Sequence, residues 1–399
     1  MAACAKFQAS GRMLSGSTFI IFGTDWNRHP STIQHLARCL GASQQIFWVE
    51  TVGLRAPSLS WHDVRRSGQK LCDFATLRRE RAASGHPNIE VLCPVTLPFT
   101  FSGLVRKFNQ SSVRRRLMRS GIVGRDDVFL ILTCPHQVDY IGLFGEVCSL
   151  YFCMDDYALW PGMNTLQINE MERAMLDKVD GVVAVSDGLA ARLGGHGRPV
   201  KVISQGVDVS HFSLPPANPG KNKSEIVYFG MIDSRVDQKL LLEIALAFPN
   251  VVIRLIGPIV TETGLLREAG NIQLEPAVTY AKLPAAISTA DVFILPFAKN
   301  SLTNSCTPLK LKEYLATGRP VISTWNPNVE HWREHVRVAS SHDQFISHLH
   351  RALEERMPKV TNIRQLLQNE TWEIKAFQLF EFAEHIQSLK IRSGKPAGC

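Results

Sequence analysis

A regular alternation of short apolar runs with helical segments is the feature that most limits how this chain can fold. Residues 17–23 read STFIIFG, a run typical of a buried strand, and STIQHLARCLGA at 31–42 has the spacing of a helix capped by Ser31. Further apolar runs begin at residues 45, 89, 127, 148 and 181. Because strands that alternate with helices pair in parallel through crossover connections, the pattern predicts an α/β protein with parallel sheets.

A break in composition divides the chain in two. The segment SLPPANPGKNKSE at 213–225 is rich in Pro, Asn, Gly and Lys, and the alternation restarts after it with EIVYFG. A chain of 399 residues is long enough for two cores. We therefore expect a flexible tail at 1–16, an α/β domain at 17–212, a linker at 213–224, a second α/β domain at 225–375, and a helix at 376–399 that packs back on the first domain.

Composition excludes several other classes of protein. The chain is 45% hydrophobic with a formal net charge of +8, as expected of a soluble globular protein that favours anionic surfaces. Its nine cysteines form no C-x-x-C pair, so we expect neither a zinc site nor a disulfide scaffold. The first residues lack the apolar core of a signal peptide, and no run is long enough to span a membrane. A cytoplasmic protein is the expectation.

The most informative short motif is TPLKLKEYLATGRPVIST at 307–324. It predicts a helix with Thr307 as its cap, Pro308 in the first helical position and Gly318 at its end, followed by a strand. Lys310 then lies in the first turn, where the helix dipole disfavours a cation by about 0.3–1 kcal/mol. Glu313 lies three residues further on, on the same face of the helix.

A bound anion would explain the position of that lysine. The free N–H groups at a helix N-terminus bind anions, so a phosphate there would turn the Lys310 penalty into an attraction. Glu313, one turn deeper, can accept hydrogen bonds from a ribose diol. The motif therefore predicts a nucleotide diphosphate across the helix start, although an ordinary surface Lys–Glu pair has the same spacing.

A family resemblance supports the ligand interpretation. The stretch PLKLKEYLATGRPVIST resembles the nucleotide-sugar helix of GT-B glycosyltransferases, which have two Rossmann-like domains facing a central cleft. Many relatives have two glutamates separated by seven residues; Glu313 matches the second, whereas Ser305 stands at the first. This form is similar to the xanthan glucuronosyltransferase and teichuronic-acid-type enzymes. The departure at Ser305 argues against the retaining chemistry of the family 4 enzymes.

The resemblance implies that the second domain binds the donor. Gly230, at the end of EIVYFG, would let a phosphate approach the backbone closely, and Arg235 would add charge unless it is a solvated loop residue. The backbone from Val278 to Tyr280 would contact the base, while packing is the simpler role for the Tyr280 side chain. The implied donor-binding residues are Gly230, Arg235, Val278, Tyr280, Ser305, Thr307, Pro308, Lys310 and Glu313.

The same resemblance implies that the first domain binds the acceptor. An apolar run ends in two carboxylates in YFCMDDYALWPG, and only one of two adjacent side chains on an extended strand can face a cleft. By resemblance, Asp156 is the general base that deprotonates the acceptor hydroxyl, with Asp155 on the acceptor side. Both would otherwise be turn caps. The loop GTDWNRHPS supplies further acceptor-side candidates, or else exposed turn residues: Asp25, Arg28 and His29.

A basic segment, LVRKFNQSSVRRRLMRS at 104–120, contains six cations and no acid. These cations are Arg106, Lys107, Arg114, Arg115, Arg116 and Arg119. Along one side of an amphipathic helix they would bind anionic lipid, and a solvated charged face is the alternative. Nucleic acid is not expected, because no aromatic platform for bases accompanies the segment.

The sequence therefore predicts a glycosyltransferase that moves a sugar from a nucleotide-diphosphate sugar, by resemblance a UDP-sugar, to a saccharide or lipid-linked saccharide acceptor in cell-surface polysaccharide synthesis. Asp156 would act without a metal or other cofactor, since no D-x-D motif is suitably placed. The expected location is the cytoplasm, at the inner face of the plasma membrane. A sugar-nucleotide 2-epimerase and a non-catalytic nucleotide-sugar-binding scaffold are the alternatives. No G-x-G-x-x-G follows the first strand of either domain, which argues against a Rossmann dehydrogenase.

Overall fold

The chain folds into two α/β units. The computed structural model describes residues 16–26, 30–51, 85–98, 102–122, 125, 127–215, 223–354 and 363–393. Contacts separate a first unit, which runs to Ser204 and resumes at Trp372, from a second unit, Gln205–Thr371. Each unit contains one parallel sheet, so the predicted α/β fold class is confirmed.

The first unit is built on a seven-stranded sheet. Its strands are β1 (Thr18–Gly23), β2 (Gln45–Glu50), β3 (Ile89–Leu92), β4 (Val128–Leu132), β5 (Cys148–Cys153), β6 (Gly181–Ala184) and β7 (Val200–Val202). They lie in the order β3-β2-β1-β4-β5-β6-β7, and every pair is parallel. The helices described between them are α1 (Thr32–Leu40), α2 (Gly103–Met118), α3 (Thr165–Lys178) and α4 (Asp187–Leu193).

The central strands of this sheet are covered on both faces. All residues of β1 and β5 are buried, which explains why their sequences are continuous apolar runs rather than alternating ones. Helix α1 begins directly after Ser31, as the sequence predicts. The Ser31 backbone N–H donates to the side-chain oxygen of Gln34 at 2.7 Å, one half of a capping box.

The second unit is built on a six-stranded parallel sheet in the order β10-β9-β8-β11-β12-β13. Its strands are β8 (Glu225–Phe229), β9 (Val252–Ile256), β10 (Ile272–Glu275), β11 (Val292–Leu295), β12 (Val321–Thr324) and β13 (Arg337–Ala339). Its described helices are α5 (Gln238–Ala247), α6 (Gly264–Glu268), α7 (Leu283–Ala286), α8 (Ser301–Ser305), α9 (Leu309–Ala316), α10 (Pro327–Glu330), α11 (His342–Glu354) and α12 (Ile363–Leu367).

Alternate residues of β8 enter two different cores, because successive side chains of a strand point to opposite faces. Val227 and Phe229 pack on one face, and Ile226 and Tyr228 on the other. The first of these cores also contains Tyr314 of α9, whose hydroxyl oxygen accepts the Phe229 N–H at 2.9 Å. The helix that carries the candidate donor residues is thereby anchored to the end of β8.

The chain enters the second unit at Gln205, ahead of the predicted linker at 213–224. Phe212 is fully buried in the core of that unit, and the Val207 N–H donates to the Glu370 carbonyl at 2.9 Å. The polar segment predicted as the linker therefore lies inside the second unit, after the boundary between the two units.

The last described helix, α13 (Trp372–Arg392), belongs to the first unit and begins slightly before its predicted start. The ring centroid of Phe380 lies 6.1 Å from that of Phe19 in β1. Nearer the end of the helix, the Lys390 ammonium donates to the Asp180 carboxylate at 3.0 Å. The helix therefore completes the core of a sheet that begins far earlier in the sequence.

Each sheet has one point where the strand order reverses, between β1 and β4 in the first unit and between β8 and β11 in the second. Open parallel sheets bind ligands at this point, beyond the carboxyl ends of the strands. In the second unit, Gly230 follows β8, and the loop that leads to α9 follows β11. In the first unit, Asp25 follows β1. Residues that the sequence predicts to bind substrates therefore lie at the strand ends where such sheets bind ligands.

Candidate active site

Helix α9 begins later than the sequence predicts. Pro308 is the N-cap, with φ −68° and ψ 107°, so it lies outside the helix and Thr307 is not the cap. The Asn328 side chain donates to the Cys306 carbonyl at 3.0 Å and holds the preceding segment in place. Among the described residues, the buried Thr307 hydroxyl oxygen has no hydrogen-bond partner. Buried hydroxyls are normally paired, so this unpaired oxygen at the helix start is an exception.

Lys310 lies directly over Gly230. A Cβ added at Gly230 would be 1.9 Å from Cε of Lys310, so the lysine side chain would have to move to make room for it. The Lys310 ammonium lies 5.2 Å from the centre of the Tyr228 ring and 3.5 Å from its hydroxyl oxygen. Two predicted donor residues from distant parts of the sequence are thus in contact at the end of β8.

Gly257, which the sequence analysis did not select, belongs to the same place. It follows β9 with φ 149°, and an added Cβ would lie 2.0 Å from the Gly230 carbonyl oxygen. Gly230 itself has φ 144°. A repeated pattern in the sequence could have identified it, since Gly257 directly follows the apolar run VVIRLI just as Gly230 directly follows EIVYF. The two glycines let adjacent strand ends approach each other closely.

Glu313 is buried one turn further into α9. It is only 5% exposed, and burial raises its pKa to about 8, while the positive charge of Lys310 acts in the opposite direction. Its carboxylate makes no hydrogen bond to any residue that the structure describes. A buried carboxyl without donors is costly, and a ligand that brings hydroxyl groups would relieve the cost.

Arg235 is held by an acidic neighbour. Its guanidinium donates to both Asp233 oxygens, with Nη2 at 2.6 Å, and its Nη1 lies 4.0 Å from the Cys306 sulfur. Burial alone would raise the pKa of Asp233, but the hydrogen bonds and charge of Arg235 lower it below its ordinary value. A phosphate that binds beside Arg235 would therefore compete with Asp233 for its positive charge.

The remaining donor-side candidates make contacts within the protein. Ser305 ends α8, and its hydroxyl donates to the Leu302 carbonyl at 2.9 Å. Tyr280 stacks on His211 with ring centroids 4.4 Å apart. Val278 and Tyr280 both pack against the core of the second unit that contains Phe229. The His211 ring nitrogen lies 2.9 Å from the Tyr280 carbonyl oxygen. This partner was not predicted, because nothing local in the sequence pairs His211 with residues near 280.

In the first unit, Asp156 forms an ion pair. Its Oδ2 lies 3.4 Å from Nε of Arg192, and its side chain is 13% exposed. Asp156 is the first residue of a tight turn over Tyr157–Leu159 but makes no side-chain capping bond there. Arg192, in the last turn of α4, was not predicted, because no local pattern links it to Asp156.

Asp155 lies on a different side of the chain. Its backbone carbonyl accepts the Cys153 thiol at 3.3 Å. Burial, with a smaller contribution from the nearby Asp155 carboxylate, raises the pKa of the Cys134 thiol to about 11. The two adjacent aspartates thus face different neighbours, Asp155 towards Cys134 and Asp156 towards Arg192.

Of the loop that follows β1, only part is described. The Asp25 carbonyl accepts a hydrogen bond from the Gln34 side chain at 3.1 Å, which ties the loop to α1. Arg28 and His29 lie outside the described residues. Their acceptor-side role stays a prediction.

The basic segment forms helix α2, but its cations do not all share one face. Arg106 is held by the Asp139 carboxylate, and Arg116 is half-buried, so neither belongs to the exposed side. The exposed side combines cations with apolar side chains; its members are Leu104, Lys107, Phe108, Ser111, Arg114, Arg115, Met118 and Arg119. Leu104 is 81% exposed and Phe108 is 47% exposed.

The described ranges contain no group of three or more His, Cys, Asp or Glu side chains that is arranged to hold a metal ion. Within the same ranges, no helix combines the length and the apolar character needed to cross a bilayer.

Comparison with protein-family models finds no match. The chain is 27% identical over 176 residues to a Bacillus subtilis (strain 168) protein that is named as the teichuronic acid biosynthesis glycosyltransferase TuaH. The match covers 40% of this chain and 44% of that relative, so it spans less than half of either protein.

Solved structures resemble almost the whole chain. Sucrose-phosphate synthase from Thermosynechococcus elongatus has a TM-score of 0.65 at 14% identity and covers 94% of this chain and 100% of its own. Anabaena HepE, solved with UDP and glucose, has a TM-score of 0.65 at 12% identity, with 93% and 100% covered. The lipopolysaccharide outer core galactosyltransferase WaaB has 0.57 at 14%, with 92% and 100% covered. The fold is therefore that of GT-B glycosyltransferases.

Proposed function

We propose that this chain is a glycosyltransferase that uses a nucleotide-diphosphate sugar as its donor. The observation that carries the proposal is the pair on α9, where Lys310 lies over Gly230 and the buried Glu313 has no hydrogen-bond partner among the described residues. An ammonium beside a helix start suits a diphosphate, and a carboxylate without donors suits a ribose diol. Both groups lie near the reversal point of the second sheet.

A UDP-sugar is the proposed donor, and a saccharide or lipid-linked saccharide is the proposed acceptor. Two similar proteins of low sequence identity support these choices. HepE was solved with UDP and glucose, and TuaH is named for teichuronic acid biosynthesis. The product would then be a cell-surface polysaccharide or its precursor.

In the proposed reaction, Asp156 removes the proton from the acceptor hydroxyl as its oxygen bonds to the anomeric carbon. The bond from that carbon to the diphosphate breaks, and its electron pair leaves with UDP. The N–H groups of α9 and the Lys310 ammonium stabilise the leaving diphosphate, which makes the reaction independent of a metal. A single displacement inverts the configuration at the anomeric carbon.

Isothermal titration calorimetry tests the donor site, with UDP, UDP-glucose and UDP-glucuronic acid as ligands. Lys310→Met and Glu313→Gln should each weaken binding by about tenfold or more, since the first removes the cation beside the diphosphate and the second removes a carboxyl oxygen that would accept from the ribose. Lys239→Met is the control, because Lys239 is an exposed cation of the same unit that pairs with Glu243. If no nucleotide binds to the wild type, the proposed donor site is wrong.

Release of UDP tests the reaction, with octyl β-D-glucoside as a soluble acceptor. Asp156→Asn should slow turnover by about 10²–10⁴-fold, as expected for loss of a general base. An epimerase would convert the nucleotide sugar with no acceptor present. Binding without any turnover would favour the scaffold alternative.

We further propose that the exposed side of α2 binds an anionic bilayer, which would place the protein at the inner face of the plasma membrane. Leu104, Phe108 and Met118 would enter the interface, while Lys107 and Arg115 contact lipid phosphates. The buried residues Asn109, Val113 and Leu117 lie on the opposite side and fix the orientation of the helix.

Flotation with vesicles of phosphatidylglycerol or phosphatidylcholine tests this surface. The wild type should float with the anionic vesicles and be released by high salt. Replacing Lys107, Arg114 and Arg115 by Ser should abolish flotation, and Lys239→Ser is the control. Equal flotation with both lipids, or no loss in the triple variant, would contradict the proposal.

A further inference from the structure

We propose that Arg192 is a positioning residue, which holds Asp156 in the orientation needed to accept a proton. The inference rests on the proposed function, in which Asp156 is the base. Nε of Arg192 lies 3.4 Å from Oδ2 of Asp156. Asp156 makes no capping bond within its own turn, so its carboxylate is not committed to the backbone that follows it.

Arg192 is itself fixed by a buried acid. Its two terminal nitrogens donate to the two Glu172 oxygens, a bidentate arrangement with Nη2 at 3.2 Å from Oε1. Glu172 is buried, and its Oε1 also accepts the hydroxyl of the fully buried Tyr151 at 2.8 Å. A planar guanidinium held at both terminal nitrogens has little freedom to move, so its Nε points in a defined direction.

The three side-chain nitrogens of Arg192 are divided between two carboxylates. The Nη groups of Arg192 donate to Glu172, and its Nε lies 3.4 Å from Oδ2 of Asp156. One oxygen of Asp156 is therefore oriented by a positive charge, while Oδ1 has no donor among the described residues. Because one cation is shared by two carboxylates, Asp156 keeps an excess of negative charge with which to take a proton. The chain Tyr151–Glu172–Arg192 thus supports the base from inside the first unit.

Kinetics of Arg192 variants test the inference, with the UDP-sugar that binds in the calorimetric screen and octyl β-D-glucoside. Arg192→Gln should lower kcat by about tenfold or more and leave the donor KM within about twofold, because donor binding belongs to the second unit. Arg192→Lys keeps a positive charge and should recover part of the lost kcat. Arg198→Gln is the control, since Arg198 donates to the Leu176 carbonyl in the same unit.

A double-mutant cycle separates positioning from a merely structural role. If Arg192 acts through Asp156, Arg192→Gln should cost little further activity in an Asp156→Asn background. If Arg192 only supports the fold, the loss should be the same in both backgrounds, and the inference is wrong. Thermal unfolding of each variant identifies any loss of folded protein, and Arg192→Lys then serves as the folded variant in the cycle.

The failure of this inference can be told from failure of the proposed function. A wild type that releases no UDP contradicts the proposed function, and the inference falls with it. An active wild type with unchanged kcat in Arg192→Gln contradicts the inference alone.

Discussion

At the scale of the residue, the carboxyl of Glu313 links folding to pH. Burial raises its pKa from the ordinary 4.5 to about 8, despite the opposing positive charge of the nearby Lys310. The folded protein therefore keeps a proton on Glu313 at pH values where the unfolded chain has lost it. A ligand that donates hydrogen bonds to the carboxylate would favour the ionised form instead.

Replacing Glu313 with Gln should remove this titration. As pH rises from 4.5 to about 8, the folded wild type binds a proton that the unfolded chain does not, so its free energy of unfolding falls across this window. We expect the stability of the wild type relative to Glu313→Gln to fall by an amount on the order of a few kcal/mol. Urea unfolding across this range measures it, and the exposed Glu268→Gln is the control. An identical pH dependence in wild type and Glu313→Gln would contradict the prediction.

Gly230→Ala should displace Lys310. The added Cβ would lie 1.9 Å from Cε of Lys310, and the φ of 144° disfavours any residue but glycine. We expect nucleotide affinity to fall by about tenfold and the free energy of unfolding to fall by about 1–3 kcal/mol. Gly188→Ala is the control, because an added Cβ there meets no atom within 4 Å. Calorimetry that shows unchanged affinity would argue against a phosphate beside Gly230.

Some of these residues could be predicted from the sequence and others could not. Lys310, Glu313 and Gly230 were identified because their positions within a helix turn or at a strand end follow from local sequence. Arg192 acts on a residue far from it in the chain, and no local pattern indicates that contact. Gly257 is conspicuous only once β8 and β9 are known to be neighbours.

At the scale of the element, α9 carries two lysines in opposite environments. Lys310 lies over the Tyr228 ring near the end of β8. Lys312 is only 5% exposed and donates to the Gln205 carbonyl and the Glu370 carboxylate. Residues two apart on a helix point to different sides, so Lys310 faces the proposed donor site while Lys312 pairs inside the second unit.

The two lysines should therefore respond differently to the same substitution. Lys312→Met leaves buried acceptors without their cation and should lower the free energy of unfolding by about 3–5 kcal/mol. Lys310→Met should change it by less than about 1 kcal/mol and should weaken nucleotide binding. Urea unfolding and calorimetry on both variants measure the contrast. A stable Lys312→Met, or a Lys310→Met with full affinity, would contradict the assignment of roles.

The long apolar runs predicted their strands well, because a strand buried on both faces has little freedom in its composition. β13 was not predicted, since three residues of RVA carry too weak a pattern. The start of α9 was misplaced at Pro308 because the backbone angle that keeps it outside the helix depends on contacts with another segment.

At the scale of the whole molecule, the second unit is inserted between β7 and α13 of the first. The two ends of the insertion lie side by side, since Val207 pairs with Thr371 as an isolated parallel bridge. Domains whose ends are adjacent can often be excised as folding units.

A fragment of residues 205–371 should therefore fold alone and bind UDP, because the proposed donor residues all lie inside it. Circular dichroism with thermal melting tests folding, and calorimetry tests binding, with Lys310→Met in the same fragment as the control. A folded fragment that fails to bind a nucleotide that the full chain binds would contradict the placement of the donor site within this unit.

The insertion also sets an order of events during synthesis. The first unit's sheet leaves the ribosome early, but Phe380 and Lys390 of α13, which contact Phe19 and Asp180, follow only after the whole second unit. The second unit is continuous in sequence and can close its core as soon as it has emerged. The core that is started first is therefore the one that is finished last.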